Sequence, residues 1–287
     1  MPGFLDKLLV NLEEAKGLDK VAVPGTRAAS KLVPKGPVKD TLTGKWIGHP
    51  VHPFLTDVAI AFWTAGGVLD LLGSRHEKSA EIMTGLGIVS AVPTAMAGVA
   101  DWVDTIGAER RVGMVHAVGN TVALTAYTAS WFARRNGNVS KGKVLAAVGS
   151  GFLGASGYLG GHLAYRLGSG VDRTAFDHKP QDWVPVLADE DLLEDSPVLA
   201  TAGDTQVLLY RNSGTVCAIH NVCSHRGGPL NEGSINAGTR TVTCPWHASE
   251  FDLCTGEVIH GPASAPQPRF ETRVHGGKIE LREVRGG

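Results

Sequence analysis

The chain has 287 residues, 43% hydrophobic and 19% charged, with a formal net charge of −1. That balance lacks the basic footprint of a nucleic-acid binder, so no nucleic-acid partner is expected. Four cysteines in so long a chain exclude a scaffold built on disulfides, and the length admits more than one domain.

In chain order, the first element is an amphipathic stretch. Phe4, Leu5, Leu8, Leu9 and Leu12 recur at helical spacing, with Asp6, Lys7, Glu13 and Glu14 off that stripe. It suits either a membrane surface or a protein face. No secretory signal is read there. Residues 24–45 are rich in Pro, Gly and Lys and are expected to be a linker, so that 1–47 is an amphipathic helix plus linker.

Residues 48–168 are expected to form an all-α transmembrane four-helix bundle. Four apolar segments, 53–73, 82–100, 112–133 and 144–165, approach the ~20 residues that cross a bilayer. Charges are confined to the joints, and the lipid bilayer is therefore the first expected partner. Gly157 and Gly161 have the spacing that lets a neighbouring backbone approach. In an up-and-down bundle the start of the first helix, the end of the second, the start of the third and the end of the fourth share one face. His49, His52, His116 and His162 all fall at that end, as do Asp57, Asp101 and Asp104. The depths of His116 and His162 match to roughly 2 Å at the rise of a helix. Ionisable groups within a membrane usually face the bundle interior. The four histidines are either individually satisfied or a candidate site for haem b, another metal or a quinone. The stretches "GHPVHPFLTDVAIAFW", "GVADWVDTIGAERRVGMVHAVGN" and "GYLGGHLAYRLGSGV" resemble a bacterial four-helix membrane family, domain of unknown function 2231. This likeness supports a membrane location and names no chemistry.

Residues 169–182 read as a linker. Residues 183–287 read as a small all-β domain of short strands, among them 207–211, 215–220, 270–275 and 278–284, separated by Gly, Asn and Pro. Within it, Cys223-x-His225 and Cys244-x-x-His247 are separated by eighteen residues. A zinc finger groups Cys with Cys and His with His along the chain. Here each segment gives one of each, which suits two loops facing across a binuclear cluster. Cys217 and Cys254 are expected as small buried hydrophobes, and His260 and His275 as ordinary surface histidines.

"CSHRGGPLNEG" with "CPWHASEFDLCTGEVIHGPA" resembles a Rieske [2Fe–2S] domain of the ferredoxin-like branch. The resemblance implies one [2Fe–2S] cluster per chain, with Cys223 and Cys244 on one iron and His225 and His247 on the outer one. It also implies a proline loop over the cluster, matched by "GPASAPQP" and including Pro262. Gly228 and Trp246 stand where the respiratory branch has an extra disulfide, so that disulfide is absent. Ser249 falls at the position of a hydroxyl donor to the cluster, but Phe251 stands where the high-potential branch often has Tyr. A potential below that class is expected.

A membrane-anchored one-electron carrier follows, passing electrons between a quinol or haem and a redox partner. The alternatives are an iron–sulfur redox sensor or an electron-feeding subunit of a reductase or oxygenase system. An oxygenase catalytic subunit is not expected, because no domain for a mononuclear iron follows. With no export signal, the Rieske domain is expected on the cytoplasmic side of a cell membrane.

Overall fold

The computed structural model describes residues 3–284; the outermost residues of the first and last predicted segments, 1–2 and 285–287, lie outside the described residues. The chain divides into two compact units. One comprises Met1–Pro34 and Val51–Gly170, the other Lys35–Pro50 and Val171–Gly287.

In the first unit, α1 (Phe4–Glu14) and α2 (Asp19–Leu32) precede four long helices. α3 (Pro37–Thr43) belongs to the second unit. The long helices are α4 (His52–Leu71), α5 (Glu77–Trp102), α6 (Gly107–Arg135) and α7 (Val139–Tyr165). α4 packs on α5, α5 on α6, α6 on α7, and α7 also meets α4. The outside of these helices is apolar: Phe54, Leu71, Val89, Val118, Phe132, Val144 and Phe152 are exposed. The inside carries the polar groups. Ser130 is buried and donates to the Gly142 carbonyl at 2.6 Å, and buried Arg134 pairs with Asp70 through two contacts of 2.8 and 2.5 Å. The Trp63 and Tyr127 rings stack with centroids 4.2 Å apart. A Cβ on Gly87 would stand 2.3 Å from the Trp63 indole nitrogen, so the close α4–α5 approach depends on glycine there.

Three sequence expectations change. Among the described residues, three of the four expected helices are by length and composition apolar enough to cross a membrane, and α6 is not among them. His116, Asn120, Thr121, Thr125, Thr128 and Ser130 dilute its hydropathy. Gly157 has no heavy atom within 4 Å of an added Cβ; α7 approaches α6 at Gly149, beside Tyr127, and at Gly160, beside His116. The expected linker 24–45 is largely helical, since α2 continues to Leu32 and α3 starts at Pro37. Proline pre-sets the backbone of a first helical turn, where its missing N–H costs nothing.

In α1, Leu9 is buried while Phe4, Leu5 and Leu8 are exposed, so only part of its apolar stripe packs on protein.

Among the described residues, the second unit contains ten strands in three antiparallel sheets. β1 (Val184–Ala188) pairs with β10 (Lys278–Glu283), which pairs with β9 (Phe270–His275). β2 (Val198–Ala202), β3 (Thr205–Asn212) and β4 (Thr215–His220) form the second sheet. β5 (Ser234–Asn236), β6 (Thr241–Thr243), β7 (Glu250–Asp252) and β8 (Val258–His260) form the third. Successive strand residues face opposite sides, and β3 is buried on both. Val207 and Leu209 join Phe270, Ile279 and Leu281 in one core. Leu208 and Tyr210 join Ile219, Phe251 and Leu253 in another, which also includes Cys223 and Cys244.

Candidate metal centre

Two loops with matching backbones present the Cys/His pairs. In the first, which follows β4, the Cys223 carbonyl accepts from Gly227 N–H at 2.8 Å, and Cys223 N–H donates to the Gly228 carbonyl at 2.9 Å. In the second, between β6 and β7, the Cys244 carbonyl accepts from Ala248 N–H at 3.0 Å, and Cys244 N–H donates to the Ser249 carbonyl at 2.8 Å. Each turn closes on a left-handed residue, Gly227 at φ 77° and Ala248 at φ 59°. The same turn is thus built twice, once with glycine at the left-handed position and once with alanine bearing the strain.

The loops bring the predicted ligands together as two pairs, thiol to thiol and imidazole to imidazole. The Cys223 and Cys244 thiols are free, buried and within hydrogen-bonding reach of one another. The His225 and His247 rings lie with centroids 5.1 Å apart at 84°. Gly228 sits between the loops: a Cβ there would stand 2.8 Å from the Cys244 sulfur and 3.1 Å from Trp246. Trp246 is 54% exposed on the flank beside His247. The Ser249 hydroxyl accepts from Ala263 N–H at 3.0 Å, which leaves its proton to be donated elsewhere. Phe251 is buried in the core below, and Pro262 is buried in the loop that follows β8.

The electrostatics favour the metal-binding form at Cys244 and His225, and the protonated thiol at Cys223. Hydrogen bonding from Cys223, with further N–H donors at Trp246 and His247, pushes the Cys244 thiol down to about 6 against the opposing effect of burial. Hydrogen bonding to Cys244, burial and the neighbouring negative charge push Cys223 up. Burial, followed by His247, Lys39 and Arg173, pushes His225 down to about 3 and keeps its imidazole neutral.

These residues fit a [2Fe–2S] cluster on an observation independent of motif. His225 Nδ1 is buried without a hydrogen-bond partner. A buried polar atom left so is costly, and a metal bond removes that cost. Two facing thiols and two facing imidazoles are the donor set of a mixed Cys/His cluster.

Residues with no metal-ligand signature hold the first loop. The Gln267 side-chain Oε1 accepts from Ser224 N–H at 3.0 Å, and its side-chain Nε2 donates to the His220 backbone carbonyl at 2.7 Å. The Asn221 side-chain oxygen accepts from Asn231 N–H at 2.8 Å. Both are buried, and the only sequence hint was Gln267 between two prolines. Cys217 and Cys254, expected as separate buried residues, form a disulfide with Cα atoms 4.7 Å apart. The link joins β4 to the turn after β7 and encloses all four cysteine and histidine positions.

The membrane-side histidines divide. His52 and His116 are neighbours, with ring centroids 6.4 Å apart at 83°. His52 Nδ1 meets the Thr94 carbonyl at 2.9 Å, and His116 Nδ1 meets the Ser156 carbonyl at 2.7 Å. His116 Nε2 accepts from the Asn120 amide at 3.0 Å. His162 instead meets Glu13 at 2.9 Å, and exposed His49 belongs to the other unit.

A compact β-unit with two matched Cys/His loops defines an iron–sulfur domain of the Rieske type. By sequence profile, residues 182–271 match the family described as "Rieske [2Fe-2S] domain", and residues 48–173 match "Predicted membrane protein (DUF2231)". The chain is 30% identical over 100 residues to the anthranilate 1,2-dioxygenase ferredoxin subunit of Burkholderia cepacia, covering 35% of this chain and 91% of that one. It is 29% identical over 99 residues to the ferredoxin component of the naphthalene 1,2-dioxygenase system of Pseudomonas putida, covering 34% and 93%. A solved structure, the ferredoxin of carbazole 1,9a-dioxygenase from Nocardioides aromaticivorans IC177, aligns at 27% identity over 36% of this chain and 100% of that one, with a TM-score of 0.34. The chain belongs to the Rieske [2Fe–2S] family through its C-terminal domain, joined to a DUF2231 membrane domain.

Proposed function

We propose that the chain is a membrane-anchored one-electron carrier. Its [2Fe–2S] cluster, held by Cys223, His225, Cys244 and His247, exchanges electrons between a quinol or haem and a redox partner protein. The observation that carries this reading is the pair of matched loops closing around the orphaned His225 Nδ1. The helices with apolar exteriors supply the anchor. His52 and His116 are the candidate contact for the membrane donor or acceptor; His162 and His49 are not part of that pair. The dioxygenase ferredoxins to which the domain is similar favour a second reading, an electron-feeding subunit of an oxygenase system.

The full chain in lipid nanodiscs is to be assayed for iron, sulfide, optical spectrum and spin resonance. About two irons and two sulfides, with the low average g-value of a histidine-ligated cluster, are expected. One zinc and no sulfide sink the reading. A Soret band lost in the His52→Ala/His116→Ala double variant identifies haem. Cluster reduction by a quinol analogue, lost in that variant without a Soret band, identifies quinone. A variant that is haem-free from the start and reduced by quinol at the parental rate makes the pair structural.

We also place the Rieske domain on the oxidising side of the membrane, in place of the cytoplasmic side expected from sequence. The Cys217–Cys254 disulfide suits such a compartment. Arg75, Lys78, Arg135, Lys141 and Lys143 crowd the short joints between α4 and α5 and between α6 and α7, as in cytoplasmic loops. A protease added to intact cells should digest the Rieske domain; full protection restores the cytoplasmic placement.

A further inference from the structure

The Rieske unit includes a segment that lies far from it in sequence. Residues Lys35–Pro50 precede the four long helices, yet they form one compact unit with Val171–Gly287. Four contacts hold this strap. The Lys35 ammonium donates to the Ala248 carbonyl at 3.1 Å, next to His247. The Lys45 ammonium donates to the Ile259 carbonyl at 2.5 Å. One Asp40 carboxylate oxygen accepts from Gly261 N–H at 2.9 Å, and the other meets His260 Nδ1 at 3.0 Å. The strap therefore spans the second ligand loop, the β8 edge and the start of the proline loop.

Between these anchors α3 carries Lys39, which is only 5% exposed. Lysine is almost never so buried without a reason. Its charge acts on His225, as does that of Arg173, whose backbone N–H donates to the Ser224 carbonyl at 2.9 Å beside that histidine. Of these two cations only Lys39 is buried, in surroundings from which water is largely excluded, whereas Arg173 is exposed. Reduction adds one negative charge to a cluster. A nearby cation stabilises the reduced form more than the oxidised form, and burial limits solvent screening of that difference. Cluster potentials respond to local charge, hydrogen bonding and exposure.

We propose that Lys39, presented by the strap, is a positioning residue for electron transfer that raises the potential of the cluster through the imidazole side at His225. The proposal rests on the Rieske-carrier reading and adds a tuning element from outside the matched domain, residues 182–271. It opposes the lower potential expected from Phe251, so the two effects are separable by mutation. The strap also covers the loops near Ala248 and Gly261, while Trp246 stays exposed.

The test uses the full chain in nanodiscs at fixed pH and ionic strength. The midpoint potential is read by voltammetry, with the spin-resonance spectrum recorded on the same samples. Lys39→Met and Lys39→Gln should lower the potential while keeping the parental g-values and iron content. Lys39→Arg should restore most of the shift, because it keeps the charge. A parental potential in Lys39→Met or Lys39→Gln with an intact spectrum overturns the proposal. So does an equal fall in Lys39→Arg, which makes the role packing alone. If Lys39→Met fails to load iron, Lys39→Gln and Lys39→Arg decide by the same criteria. A parental chain with no iron and sulfide overturns the carrier reading itself and is distinguished from these outcomes at the first measurement.

Discussion

Each unit contains a pair of nearly perpendicular histidines, and the pairs differ in what their ring nitrogens meet. In the bundle, the Nδ1 atoms of His52 and His116 lie against the Thr94 and Ser156 carbonyls. In the Rieske unit, His225 Nδ1 is buried with no partner. A carbonyl partner fixes a tautomer and satisfies the ring, so it is compatible with a structural histidine as well as a ligand. A buried nitrogen left without a partner is costly, and a metal bond would remove that cost. Similar ring geometry thus carries different chemical information in the two units. The packing differs likewise. The bundle turns apolar side chains outward and buries Ser130 and Arg134, whereas the Rieske unit gathers Leu208, Tyr210 and Phe251 inside.

The most severe way to break this comparison is to remove a thiol. Cys223→Ser or Cys244→Ser should reduce iron and sulfide from about two of each to none and abolish the spin-resonance signal. The bundle should keep its helical circular dichroism. A variant that retains the full cluster would overturn the ligand assignment.

Next is the buried ion pair of the bundle. The Arg134 and Asp70 side chains are 2% and 11% exposed, and Arg134→Met leaves a carboxylate without its cation. Loss of one partner of such a pair costs about 3–5 kcal/mol. Thermal unfolding of the helical unit should shift accordingly while the cluster spectrum stays parental. Coupled loss of the cluster would show that the units do not behave separately.

The disulfide should matter somewhat less. Closing the chain between Cys217 and Cys254, 37 residues apart, contributes up to about 4 kcal/mol by restricting the unfolded chain. Cys217→Ser should lower the denaturant midpoint for cluster loss without altering the spectrum. An unchanged midpoint would make the link incidental.

The smallest effect is with pH. His220 is buried, and burial holds its pKa below the ordinary histidine value although Asp177 opposes this. The folded state thus takes up a proton less readily than the unfolded state. Stability is present in full above about pH 6.5, and falls as pH drops from there towards the folded pKa. His220→Gln should flatten that part of the curve, as read by denaturant titrations at several pH values. An identical slope would assign the acid sensitivity to another group.

Much of the site could be read in the sequence, since Cys223, His225, Cys244 and His247 sit in short segments whose spacing fixes their chemistry. Strands β3, β4, β9 and β10 were legible through alternation and turn residues. The four histidines were only half legible. Counting along helices sets depth at 1.5 Å per residue, but it leaves open which neighbour each side chain meets. His52 and His116 meet each other, while His162 meets Glu13 of α1. The linker reading of 24–45 failed because Pro and Gly also mark helix starts, as Gly36 and Pro37 do for α3.

The sequence by itself determined the pairing of one Cys with one His in each of two loops, the all-β character of the C-terminal domain and the apolar character of most of the helical segments. These follow from local spacing and hydrophobic periodicity, which act within a few residues. Only the tertiary structure decided that Cys217 joins Cys254, that Gln267 clamps the first ligand loop and that Lys39 lies buried within the Rieske unit. Those partners are 37 to 186 residues apart along the chain. No local propensity encodes such meetings, because they arise when distant segments bury surface against a common core.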